Sequence, residues 1–266
     1  MRTLDFYIIY ILAILPSILI LYYIFKRDRF QEDKKEVIIT FFLGSSTVLV
    51  LDLLIPLTEA FANSFFSGIA KDAFITYFRA ATLEESVKML VLYFYAYRLG
   101  NFNEPMDAIV FATAASVGFA AIENVEYVFS GETQNQAFNI AFIRAFSAVP
   151  LHALCGIIMG TFFGLAIFAT KNNKRYLFLS LALPILIHGS YNFVLTLGMS
   201  ILIYVLLIFL IIKSSNILNA LNYDQSIRSK EEISKSYVIN QDEIYFNLLQ
   251  ITGIIIVVVT TLEVFT

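Results

Sequence analysis

About eight apolar runs, most of them close to the roughly 20 residues a helix needs to cross a hydrocarbon core, constrain this chain more than any other feature. They are Leu4 to Phe25, Val37 to Leu57, Ala73 to Tyr97, Pro105 to Phe129, Ala137 to Ala169, Leu177 to Leu197, Ser200 to Ile212 and Asn247 to Val264. Backbone polar groups in lipid must be satisfied internally, so such runs predict an all-α, polytopic transmembrane helix bundle. The fifth run is too long for one straight crossing and contains Arg144 and Pro150; it predicts an interfacial helix that turns inward near Pro150. Between Lys213 and Phe246 the chain becomes polar and reads as a loop outside the membrane. The organisation expected is a core over 1–213, followed over 214–266 by a cytoplasmic segment and one further span.

Composition agrees with a bilayer setting, since 59% of the residues are hydrophobic and 15% charged. A net charge of -3 without clustered Lys and Arg argues against a nucleic-acid partner. The single cysteine, Cys155, can form no internal disulfide and reads as a small core residue. The first run lacks a small-residue cleavage site before Lys26 and Arg27, so it is expected to be a retained span of a cell-membrane protein. Lys and Arg concentrate in the loops after runs one, three, five and seven, whereas the opposite side holds only Arg2 and Lys71. The positive-inside rule then places both termini outside the cytoplasm.

Ionisable residues inside the spans are the candidates for chemistry, because each costs at least about 2.5 to 3.5 kcal/mol at the centre of a bilayer. The third run places Glu84, Glu85 and Lys88 near its middle. Helical geometry sets Glu84 and Lys88 one turn apart on one face and turns Glu85 about 100° away. An ion pair of Glu84 with Lys88 neutralises one glutamate and leaves the second for proton handling. The fourth run carries Asp107 in its first turn, where a carboxylate satisfies free amides, and Glu123, Asn124 and Tyr127 deeper in. Both histidines, His152 and His188, fall in spans, and Asn192 stands one turn after His188. From the rise per residue, all of these reach one layer, predicting a polar cavity between spans three to six that opens toward the outer face.

Glutamate, histidine and a carboxamide suit hydrolysis of a carbonyl compound, the carboxylate taking a proton from water while donors hold the oxyanion. The same residues make a feasible zinc set with a metal-bound water, although HExxH, the strong zinc signal, is absent. Buried Glu, His and Lys also build proton relays, which keeps a proton- or ion-coupled transporter as an alternative.

Four segments in order, EESVK at Glu84 to Lys88, MDAIVFATAASVGFAAIENVEY at Met106 to Tyr127, IRAFSAVPLHALCGIIMG at Ile143 to Gly160 and HGSYNF at His188 to Phe193, resemble the PrsW family of intramembrane proteases. That family is distantly similar to the CAAX-prenyl endopeptidase and bacteriocin-immunity superfamily. The resemblance covers roughly Leu4 to Lys213 and implies an intramembrane endopeptidase. Its expected substrate is a single-span membrane protein, of the anti-sigma-factor kind, cut near the extracytoplasmic side in a site-1 type step. It implies Glu84, Glu85, His152, His188 and Asn192 as active-site residues, with Glu123 and Asn124 in a motif shared by the family; helical spacing adds Lys88 and Tyr127 in support. Met89 stands where relatives often carry a large aromatic, and Ser214 to Thr266 has no counterpart in short members. The paired glutamates and Asn192 favour a glutamate-type, metal-free reaction with no cofactor, zinc being the open alternative. A non-catalytic immunity or scaffold protein on the same fold is the third reading.

Overall fold

The computed structural model describes residues 3–169, 172–227 and 250. Nine α-helices fall within them: α1 Thr3–Arg27, α2 Lys34–Phe65, α3 Gly68–Ala73, α4 Leu83–Phe94, α5 Pro105–Phe129, α6 Gln134–Phe146, α7 Ala148–Phe168, α8 Asn173–Thr196 and α9 Ser200–Ile227. A π-helical segment, Phe74–Thr82, joins α3 to α4 without a break. No strand occurs among the described residues.

Six stretches are long and apolar enough to cross a membrane: 7–27, 34–65, 105–129, 134–168, 173–196 and 201–227. The chain is thus a multi-pass helical membrane protein, with fewer clear spans among the described residues than the eight expected. The third expected run is the π-interrupted segment, whose wide turns and central charges set it apart from the six. The seventh is the first half of α9, and the eighth, Asn247 to Val264, lies outside the described residues except for Gln250.

One boundary sharpens the sequence reading and a second corrects it. The bend in the fifth run falls at Ser147 (φ -131, ψ -71), three residues before Pro150. Pro150 sits in the first turn of α7, where its missing N–H costs nothing; its ring would clash with the Phe146 carbonyl if α6 ran straight on. The polar stretch after Lys213 is helical as far as Ile227 rather than a loop. Gln225 holds that end in place, donating to Asp28 (2.9 Å) and Glu104 (3.1 Å) and accepting from the Arg29 amide (3.2 Å). Arg27 bonds Asn219 one and a half turns earlier.

Helix α5 is the axis of the bundle and packs on α1, α2 and α7. Asp107 starts it by accepting from the amides of Asn103 (2.7 Å) and Glu104 (2.9 Å), the capping role expected of it. Its neighbours approach closely because small residues face it. A Cβ on Gly160 would stand 2.5 Å from the Ala108 carbonyl oxygen, and one on Gly118 would stand 2.0 Å from that of Phe41. Gly156, Gly160 and Gly164, four residues apart, form a stripe along α7 that lets two backbones touch. Gly160→Val is therefore expected to destabilise the protein by about 3 kcal/mol or more, because the blocking atoms are backbone and cannot turn aside. Thermal unfolding in detergent measures this, and an unchanged midpoint would refute the packing account.

Candidate active site

Helix α4 begins beside the π-helical segment and carries Glu84, Glu85 and Lys88, all buried. Lys88 Nζ donates to Glu85 Oε1 at 2.8 Å and stands 3.7 Å from Glu84 Oε2. The closer partner is Glu85, which corrects the expected Glu84–Lys88 pair. Residues three apart share a helical face as well as those four apart do. The selection comes from α8, where His188 Nδ1 lies 2.8 Å from the same Glu85 oxygen and fixes that carboxylate in place.

The bonds continue on the other side of Lys88. Its Nζ lies 2.9 Å from His152 Nδ1, and His152 Nε2 lies 2.9 Å from Glu123 Oε2. An ammonium only donates, so Nδ1 accepts and Nε2–H donates to Glu123. Both ring nitrogens of His152 are occupied in this arrangement. The Lys88 ammonium also sits 4.2 Å from the centre of the Phe119 ring, a cation–π contact in a place closed to solvent. Ser116 donates to the His152 carbonyl oxygen at 2.8 Å and ties α7 to α5 at this level.

Arg144, from the end of α6, closes the chain of charges. It donates to Glu123 Oε2 and Asn124 Oδ1, each at 2.6 Å, and lies over the Tyr127 ring at 3.8 Å. Asn124 in turn donates to the Ala13 carbonyl oxygen of α1 at 3.1 Å. Asn124 and Tyr127 thus position Arg144; Asn124 faces away from the glutamates of α4. The row Arg144–Glu123–His152–Lys88–Glu85–His188 alternates charged and hydrogen-bonding groups, so each buried charge has an opposite or donating neighbour.

Arg144, Glu123, His152 and His188 of this row form, with Glu84, the floor of a cavity of about 450 Å³. Glu84, Glu123, His152, His188 and Asn192 line it, whereas Glu85 and Lys88 lie behind the wall. Helix α2 supplies an apolar side through Val48, Leu51 and Ile55, which the cavity expected between spans three to six did not include. Asn192 is partly exposed, and its carboxamide has no hydrogen-bond partner among the described residues. Two atoms without a hydrogen bond to each other meet beside the floor: Glu84 Oε2, which is closed off from solvent and lacks a hydrogen-bond partner, stands 3.8 Å from His188 Nε2.

Glu84, His152 and His188 each present a ligand atom within 4.8 Å of the others. Two imidazoles and a carboxylate match a catalytic zinc site in number and type, and the Glu85 carboxylate on His188 Nδ1 is the outer partner such a ligand usually has. The donor set therefore fits a divalent ion, at the cost of one of the two bonds made by His152.

Arg144, Phe119, Ser116 and Arg79 escaped the sequence reading as site residues. For Arg144 a signal existed: a lone arginine in an apolar run needs an acid, and Glu123 is the nearest unassigned one in a neighbouring span. Phe119 and Ser116 carry no such mark.

Comparison with known proteins agrees with this geometry. Residues 32–214 match the model of the PrsW family intramembrane metalloprotease. Relatives named Protease PrsW include those of Geobacillus kaustophilus (34% identical over 183 residues, 69% of this chain and 77% of the relative) and Clostridioides difficile (32% over 207 residues, 77% and 86%). That of Bacillus subtilis is 34% identical over 201 residues, 75% of this chain and 87% of the relative. No solved structure gives a significant match. With a helical membrane bundle, a match over most of its length and a buried Glu–Lys–His row, this chain belongs to the PrsW family of intramembrane proteases.

Proposed function

We propose that this protease hydrolyses a peptide bond of a single-span, anti-sigma-factor-like membrane protein near the extracytoplasmic side, with Glu84 as the base that activates water. The observation that carries this reading is the pair beside the cavity floor, Glu84 Oε2 and His188 Nε2, which stand 3.8 Å apart with no hydrogen bond between them. With Nδ1–H donating to Glu85, neutral His188 presents a lone pair at Nε2, so one water can donate to His188 and to Glu84 at once. Glu84 takes one proton, the water oxygen bonds to the carbonyl carbon, and the Asn192 carboxamide donates to the oxyanion. Collapse breaks the C–N bond, and the proton returns from Glu84 to the leaving amine. Glu85 is a positioning residue that sets the tautomer of His188, and His152, engaged at both nitrogens, holds Lys88 and Glu123 together. Asn192 rather than His188 holds the oxyanion, because His188 Nε2 donates only from an imidazolium.

Lys88 supports the metal-free form. It is a fully buried positive charge 3.7 Å from Glu84 and already balances the carboxylates that would otherwise call for a cation. The donor set of Glu84, His152 and His188 supports the second reading, in which these three hold a divalent ion. Such an ion would acidify a bound water and polarise the scissile carbonyl. The extracytoplasmic placement is supported by the Lys and Arg alternation and by the cavity lying in the half of α5 beyond Phe119, away from the basic end marked by Lys26 and Arg27.

Cleavage of single-span substrates in proteoliposomes, with and without a strong chelator, tests both parts. Activity is expected to survive chelation. Loss on chelation with recovery on adding zinc would replace the metal-free mechanism by the second reading, and no cleavage of any membrane substrate would defeat the function itself.

A further inference from the structure

Arg79 is the one cation on the cavity wall, among the described residues, with no counter-ion; Arg144, the other, is paired with Glu123. Its Nε is closed off from solvent and has no hydrogen-bond acceptor. The side chain is partly exposed, so the Nε–H is the donor left without water or an acceptor.

The backbone explains how Arg79 comes to face the site. In an ideal α-helix, five residues turn Arg79 about 140° away from Glu84, and nine turn Ile75 about 180° away. The segment Phe74–Thr82 is instead π-helical, with Thr82 Oγ1 donating to the carbonyl oxygen five residues back, at Tyr77 (2.7 Å). This wider winding carries Ile75 and Arg79 onto the same wall as Glu84. The opposite helix is moulded to it: Gly189 lies against the Tyr77 ring, where a Cβ would stand 2.2 Å from a ring carbon, and Tyr77 bonds Ser190 at 3.0 Å.

We propose that Arg79 selects substrates carrying an aspartate or glutamate beside the scissile bond, its planar fork receiving that carboxylate when the segment enters the cavity. This rests on the reading of the cavity as the peptide site. Asp52 and Glu126 are exposed on the same wall and repel acids elsewhere, so the preference falls on a single position of the substrate.

The test uses the full chain with Glu84→Gln in lipid nanodiscs, so that binding is read without turnover. The probes are synthetic single-span peptides in which one Glu, Gln or Lys is moved through the extracytoplasmic flanking segment. At one position the Glu peptide is expected to bind about 10- to 100-fold more tightly than the Gln peptide. Adding Arg79→Gln should bring the two within about twofold, and Arg79→Glu should favour Lys at that position. The proposal is overturned if no position prefers Glu, or if the preference survives Arg79→Gln in protein of unchanged thermal midpoint. The same peptides given to the unsubstituted protein separate the two readings. Charge-selective binding without cleavage sinks the endopeptidase and keeps the role of Arg79, whereas cleavage indifferent to charge does the reverse.

Discussion

Glu84→Gln is expected to lower kcat/KM by about 10³-fold or more, within the range that removal of a general base produces. The amide keeps the size of the side chain and its place on the cavity wall but cannot take a proton. Nothing else needs to move, because Glu84 Oε2 makes no hydrogen bond that holds a neighbour. Glu85→Gln should behave differently. Its Oε1 receives both Lys88 and His188, so the substitution removes the charge that balances Lys88 and weakens the orientation of His188. Both variants lose activity; the thermal midpoint should fall for Glu85→Gln and stay for Glu84→Gln. Reconstituted protein with a single-span substrate, followed by mass spectrometry of the products alongside thermal unfolding, reads both quantities. Activity retained in Glu84→Gln would assign the base elsewhere, and equal midpoints would remove the division of labour between the two glutamates.

That division was not legible in the sequence, although the presence of the pair was. Spacing along α4 admits Lys88 to either glutamate, and the choice is made by His188, about a hundred residues later in the chain. Six of the expected spans were legible, because a hydrocarbon core imposes a length on each apolar run. Boundaries set by single residues were less so. Pro150 signalled a bend but not that the bend would be displaced to Ser147, and the π segment Phe74–Thr82 contains neither Gly nor Pro to announce it. The helix after Lys213 looked like a loop because its polar residues suit water; Gln225 and Asn219 instead meet Asp28, Glu104 and Arg27 at the end of the bundle. Long-range partners of this kind leave no periodicity to read, and the Arg144–Glu123 bond that anchors His152 is of the same kind.

Lys88→Met should destabilise the folded protein by about 3 to 5 kcal/mol, the usual cost of removing one partner of a buried ion pair. Lys88 and Glu85 are both fully buried, and the ammonium makes four contacts at once, to Glu85, to Glu84, to His152 and to the face of Phe119. Without it the Glu85 carboxylate keeps only His188, and His152 Nδ1 loses its donor. Methionine preserves most of the packed volume, so the effect reports charge and hydrogen bonding rather than a cavity. The pairing account makes a stronger demand on the double variant. Glu85→Gln together with Lys88→Met removes both charges, and a large part of the lost stability should return. A thermodynamic cycle over the two single variants and the double measures that coupling in detergent or bicelles. Additive losses would mean that the two groups act separately. Activity should not return with stability in the double variant, because a neutral pair behind the wall no longer fixes the proton on His188 Nδ1 or holds positive charge beside Glu84. Recovery of both together would show that the Lys88–Glu85 pair serves the fold alone.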